Sequence, residues 1–137
     1  MQHQMAVSIE YEALAYVYNT LFAHAPLMAL ISELHPSHHS GIANPVYPLV
    51  TYEILISRDD RLIQDPRVEI AIYSEKGSEE KWSIFGEIEE ALLRKAGQTD
   101  NAYFINTTRV LATGADEYAQ RKLYVVLAHY VLTGVKD

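Results

Sequence analysis

Pro48–Leu49–Val50–Thr51–Tyr52–Glu53–Ile54–Leu55–Ile56–Ser57 and, beyond a charged break, Arg67–Val68–Glu69–Ile70–Ala71–Ile72–Tyr73 are the two runs that decide the fold of this 137-residue chain. Both are rich in β-branched and aromatic side chains, which suit a pleated surface packed on neighbours. The break between them holds Arg58–Asp59–Asp60–Arg61 and, further on, Asp65–Pro66. Two strand-like runs so close in sequence predict an antiparallel pair. The second alternates, with Val68, Ile70 and Ile72 on one face and Arg67, Glu69, Ala71 and Tyr73 on the other. That alternation predicts a sheet with one face against the core and one in water.

Toward the N-terminus, Ser8 to Ala23 has helical periodicity. Ser8 can cap the first turn, Glu10 sits near its positive end, and Tyr11, Leu14, Ala15, Tyr18, Leu21 and Phe22 form the expected apolar stripe. Pro26 interrupts the run and suits the start of a second helix over Leu27 to Leu34, which His35–Pro36 ends. Pro36 to Pro45 is a loop by composition, and the first strand opens near Tyr47.

Toward the C-terminus, Ser78 with Glu79 and Glu80 starts the longest helix, whose expected buried stripe is Trp82, Phe85, Ile88, Ala91 and Leu92. Arg94 and Lys95 suit its negative end, and Gly97 its termination. A third strand spans Ala102 to Thr113, with a turn at Gly114–Ala115–Asp116. The last run, Gln120 to Leu132, reads as strand or, over Ala119–Ala128, as helix; its valines and tyrosines favour strand. The expectation is one α+β domain over residues 1–137, in the order α-α-β-β-α-β-β, with an antiparallel sheet of about four strands and helices on one face.

Composition narrows the function. Eighteen acids against eleven bases leave a net charge of −7, and the bases are dispersed, so binding to a polyanion is disfavoured. Without cysteine there is no disulfide framework, thiolate metal site or cysteine nucleophile. Met1–Gln2–His3–Gln4–Met5 lacks the basic start of a secretion signal, and no run approaches the ~18 apolar residues that span a bilayer. A soluble protein made in a cytoplasm is expected, with no membrane partner. Ten tyrosines against three phenylalanines suit half-buried strand positions and protein contacts alike.

Candidate chemistry is sparse. In the cluster His35, His38 and His39, two imidazoles three apart could share a zinc ion if Glu33 or another subunit supplied a further ligand, but a Ser/Pro/Gly loop fixes no ring orientation. Arg58–Asp59–Asp60–Arg61, with Asp65 nearby, is a mixed-charge cluster at a hairpin tip. It suits a solvated loop or an intersubunit ion-pair surface better than acid–base catalysis, which needs a concave, partly desolvated site. Glu79, Glu80, Glu87, Glu89 and Glu90 read as the solvated side of the long helix, and His129 as a packed or hydrogen-bonded histidine. No G-x-S-x-G, G-x-G-x-x-G, P-loop or H-E-x-x-H occurs. A small enzyme or ligand-binding domain built on the charged cluster and the His35–His39 loop remains the alternative.

The order and spacing of Tyr47–Pro48–Leu49–Val50–Thr51–Tyr52–Glu53–Ile54, Arg67–Val68–Glu69–Ile70–Ala71–Ile72–Tyr73, the helical Ile84–Leu93 and Asp116–Glu117–Tyr118 leading to Arg121 and Tyr130 resemble the tail-completion (tail terminator) proteins of long-tailed bacteriophages. The resemblance spans about Glu10 to Leu132. It implies a structural virion protein without catalysis or cofactor. Such a protein forms a homo-oligomeric ring, commonly a hexamer, at the head-proximal end of the tail tube, where it ends tube growth and joins the tail to the head connector. Its implied partners are its own copies, the tail-tube protein and the connector or neck protein, with DNA passing through unbound. Arg58, Asp59, Asp60, Arg61, Asp65, His38, His39 and Tyr47 are the expected subunit-interface residues.

Overall fold

The computed structural model describes residues 8–36, 39–55, 65–118 and 121–136. Helix α1 spans Ile9–Phe22, helix α2 Ala25–Met28 and strand β1 Glu33–His35, followed by a 3-10 turn at His39–Gly41. Strand β2 is Leu49–Ile54, β3 Arg67–Ser74, helix α3 Ser78–Leu92, β4 Gly97–Gln98, β5 Ala102–Ala115 and β6 Tyr124–Lys136. The sheet order is β1-β2-β3-β6-β5-β4.

The expected hairpin is present: β2 and β3 pair antiparallel, with Val50 opposite Ile72 and Ile54 opposite Val68. The last run is strand, and it lies at the centre of the sheet between β3 and β5. Two expectations need correction. The sheet has six strands rather than about four, and it is mixed, because β1 runs parallel to β2. The added strands β1 and β4 are three and two residues long, too short to carry a periodicity of their own. The proposed helix over Leu27–Leu34 stops at Met28, and its tail becomes β1.

All three helices pack on one face of the sheet. The main core joins Ile9, Ala13, Val17, Leu21 and Leu27 with Ile84, Ile88 and Leu92, over Val50, Ile70, Ile72, Val126, Ala128 and Leu132. The opposite face is not simply wet, as the alternation in β3 suggested. Ala71 and Tyr73 are buried there in a second cluster with Leu49, Leu123 and Val125, which Ile42, Tyr47 and Tyr118 cover.

Helix α1 is rotated from its expected stripe, whereas α3 buries Ile88, Ala91 and Leu92 as expected but Lys81 and Ile84 in place of Trp82 and Phe85. In α1 the buried positions are Ile9, Glu12, Ala13, Tyr16, Val17 and Leu21, while Tyr11 and Phe22 are 64% and 57% exposed. In α3 they are Lys81, Ile84, Ile88, Ala91 and Leu92. Trp82 faces outward, and Phe85 is half-buried beneath the Arg109 guanidinium. Ser8 caps α1 as expected, its Oγ accepting the Tyr11 N–H at 3.2 Å. The α3 cap is Gly77 rather than Ser78, at φ 154°, a conformation that side chains rarely adopt. Gly97 does not end α3: Arg94 takes the left-handed position (φ 61°) and Gly97 enters β4, where the Tyr16 ring leaves no room for a Cβ.

Candidate functional site

The connection from β5 to β6 is where the sequence pattern and the tertiary structure meet. Gly114, expected in a turn, is instead the penultimate residue of β5 and lies under the Trp82 indole; a Cβ there would stand 2.8 Å from that ring. Beside it, the buried Lys81 ammonium donates to Ala115 O and to Asp116 Oδ1, both at 2.9 Å. Ser78 Oγ donates to the same carboxylate oxygen at 3.2 Å. The Lys81 hydrogen bond holds Asp116 below the usual carboxylate range. Asp116 thus clips the end of β5 to the first turn of α3.

Two residues on, Tyr118 turns to the other face of the sheet. Its ring meets Tyr73 and His39 edge-on, with centroids 5.4 and 5.2 Å apart. His39 Nε2 lies 2.8 Å from Tyr47 Oη, and the Arg121 guanidinium covers the Tyr47 ring at 5.3 Å. Burial, followed by the neighbouring Tyr118, raises the Tyr73 hydroxyl well above the ordinary phenol range. The second core is therefore a tyrosine–histidine cluster that pins the segment 39–47 onto the sheet.

Of the expected interface residues, His39 and Tyr47 are brought together in this cluster. Asp65 is half-buried where the chain enters β3, with Oδ1 buried and lacking a hydrogen-bond partner. Arg58, Asp59, Asp60, Arg61 and His38 lie outside the described residues. Among the described residues, no three histidine or carboxylate side chains are grouped to hold a metal ion, and no helix is long and apolar enough to cross a membrane.

Polar groups that could do chemistry are tied into the scaffold. Glu12 is buried, and its carboxylate accepts from Thr99 Oγ1 and, at 3.0 Å, from Asn101 Nδ2. Glu89 accepts from Arg109 Nη1 at 2.6 Å and from Tyr130 Oη at 3.0 Å. Burial and the Glu89 charge hold the Tyr130 hydroxyl far above its ordinary range. His129 lies 2.9 Å from Glu69 across the strand pair. These links join elements distant in sequence.

No protein-family model matches the chain, and no curated protein matches it in sequence. Its fold is shared. A chain in the virion of a native gene transfer agent (GTA) particle superposes with a TM-score of 0.69, covering 95% of this chain and 100% of that one, at 12% identity.

Sequence reasoning missed the outer strand β5 as a surface. β4 pairs with it only at Tyr103 and Phe104. Two register shifts, between Phe104 and Asn106 and between Arg109 and Leu111, leave Ile105 and Val110 out of the ladder. These are β-bulges, which bend a strand and re-aim its side chains. Ile105, Val110 and Leu111 are 53%, 46% and 39% exposed. The residues themselves were legible as strand; their position at an edge was not.

Proposed function

We propose that this protein is a structural subunit of a tailed, phage-type particle, forming a ring at the head-proximal end of the tail tube. There it stops tube growth and receives the head connector. The observation that carries this reading is the likeness over nearly the whole chain to a subunit of the gene transfer agent virion. It agrees with the order of strand motifs that resembles tail-completion proteins.

Charge supports the same reading. Each subunit carries −7, so a ring of them repels a passing polyanion instead of holding it. The proposed partners are copies of this chain, the tube protein below and the connector above, in the virion after assembly in the host cytoplasm. The role is non-enzymatic, and the chain acts as one domain.

Deleting the gene from a particle-producing strain tests the reading. Micrographs are expected to show filled heads without tails beside tails of irregular length, and complementation should restore joined particles. Joined particles with uniform tails in the deletion strain would overturn it.

A further inference from the structure

The sheet has two open ends, and they differ in character. At one end, among the described residues, the outer backbone edge of β5 from Ile105 to Ala115 has no partner strand, although Thr107 O accepts the Arg94 N–H and Ala115 O the Lys81 ammonium. Such edges are ordinarily blunted with lysine, proline or an inward charge. This one contains no lysine, proline or acid, and its single charge, Arg109, is already held by Glu89. At the other end lies the three-residue strand β1, Glu33–His35. Among the described residues β1 pairs on one side only, with β2, so its outer backbone edge has no partner strand.

Strand directions make the two ends compatible. β1 is parallel to β2, and each step from β2 through β3 and β6 to β5 is antiparallel, so β5 runs opposite to β1. Copies related by rotation about an axis along the strands bring β5 of one against β1 of the next as an antiparallel ladder. A head-to-tail contact of this kind closes into a ring when the rotation permits. The charges also agree: the acid-free β5 edge meets Glu33 without like-charge repulsion, although each chain is −7 overall. Two β5 edges paired with each other would make a two-fold dimer and leave the outer edge of β1 unpaired.

We infer that the occupant of the β5 edge is the β1 edge of a second copy of this chain, so that the sheet continues from subunit to subunit around the ring. This rests on the ring reading above and specifies its contact. His35 shares a sheet face with Thr51, and through the paired strands with Leu111 and Thr113. Because the chain has no cysteine, His35→Cys combined in turn with Thr108→Cys, Leu111→Cys and Thr113→Cys can be oxidised and run on a non-reducing denaturing gel. At least one pair is expected to give a ladder of covalent multimers ending at the ring size, collapsed by reductant and absent from every single variant. Dimers from a single β5 cysteine would overturn the inference in favour of β5 self-pairing.

If wild-type protein forms rings in micrographs but no pair cross-links, the contact is wrong and the ring reading survives. If neither rings nor cross-links form, alone or with tail tubes, both fall. Val110→Lys with Leu111→Lys provides the second arm, since both side chains are exposed in the subunit. The expected result is at least a tenfold weaker assembly with an unchanged melting temperature of the isolated subunit. Rings that persist with both lysines in place would overturn the contact.

Discussion

Lys81 shows how a charged residue came to occupy a core position. It lies 2% exposed, with its ammonium satisfied by a carbonyl at the end of β5 and by the Asp116 carboxylate. The Asp116 end is open to solvent, which screens that half of the pair; the amine–carbonyl bond and the packing beside Trp82 carry more. Lys81→Ala is expected to destabilise the fold by about 1–3 kcal/mol, read from the urea midpoint. Asp116 has its pKa lowered on folding, chiefly by that hydrogen bond. Its contribution is therefore complete above its unfolded value of 3.8 and is lost as pH falls through the lower folded one. Asp116→Asn should remove that part of the acid limb, checked by melting both proteins from pH 7 down to about pH 2. Glycines at close approaches give a second comparison. A Cβ at Gly134 meets the wholly buried Phe104 ring at 2.8 Å, whereas one at Gly114 meets the half-exposed Trp82. Gly134→Ala should cost about 1–3 kcal/mol by overpacking, and Gly114→Ala less, because the indole can swing outward.

The helices show why apolar spacing locates an element better than it orients it. In α1, Tyr11, Leu14, Ala15, Tyr18, Leu21 and Phe22 form a helical stripe, but so do Ile9, Ala13, Tyr16, Val17 and Leu21, and the second set faces the sheet. The difference was concealed by Glu12, a carboxylate on the buried side whose partners Thr99 and Asn101 lie far along the chain. Lys81 concealed the buried side of α3 in the same way, with partners beyond residue 114. Segment 39–47 has no regular pattern, yet it is held by the rings of Tyr73 and Tyr118. Tyr118→Ala should raise amide hydrogen exchange in residues 42–47 by at least an order of magnitude while leaving α1 and α3 unchanged. Equal protection in the variant would show that the segment is held elsewhere.

Assembly of an acidic subunit has a characteristic dependence on salt. Copies bearing −7 repel one another, and the proposed β5–β1 contact is a backbone ladder between an acid-free edge, whose Arg109 is held by Glu89, and a short strand. Raising ionic strength from about 0.01 to 0.15 M shortens the screening length from about 30 to 8 Å and should strengthen ring formation in sedimentation. Weakening over that range would indicate a contact built on ion pairs, as the Arg58–Arg61 cluster would provide.

The locations of the four longer strands and of helices α1 and α3 followed from the sequence alone, because alternation and helical spacing are imposed by the backbone within a few residues. The β2–β3 hairpin, the strand character of residues after Tyr124 and the Ser8 cap were all legible for that reason. His39 and Tyr47 could be singled out, but their hydrogen bond could not be read, since it depends on how a loop folds back over Tyr73. Only the tertiary structure decided that β6 lies in the middle of the sheet and β5 near its rim. It also decided that three residues after α2 become a strand and that charged side chains face the core. Those outcomes depend on partners distant in sequence, whose burial and hydrogen bonds outweigh the local preference of any single segment.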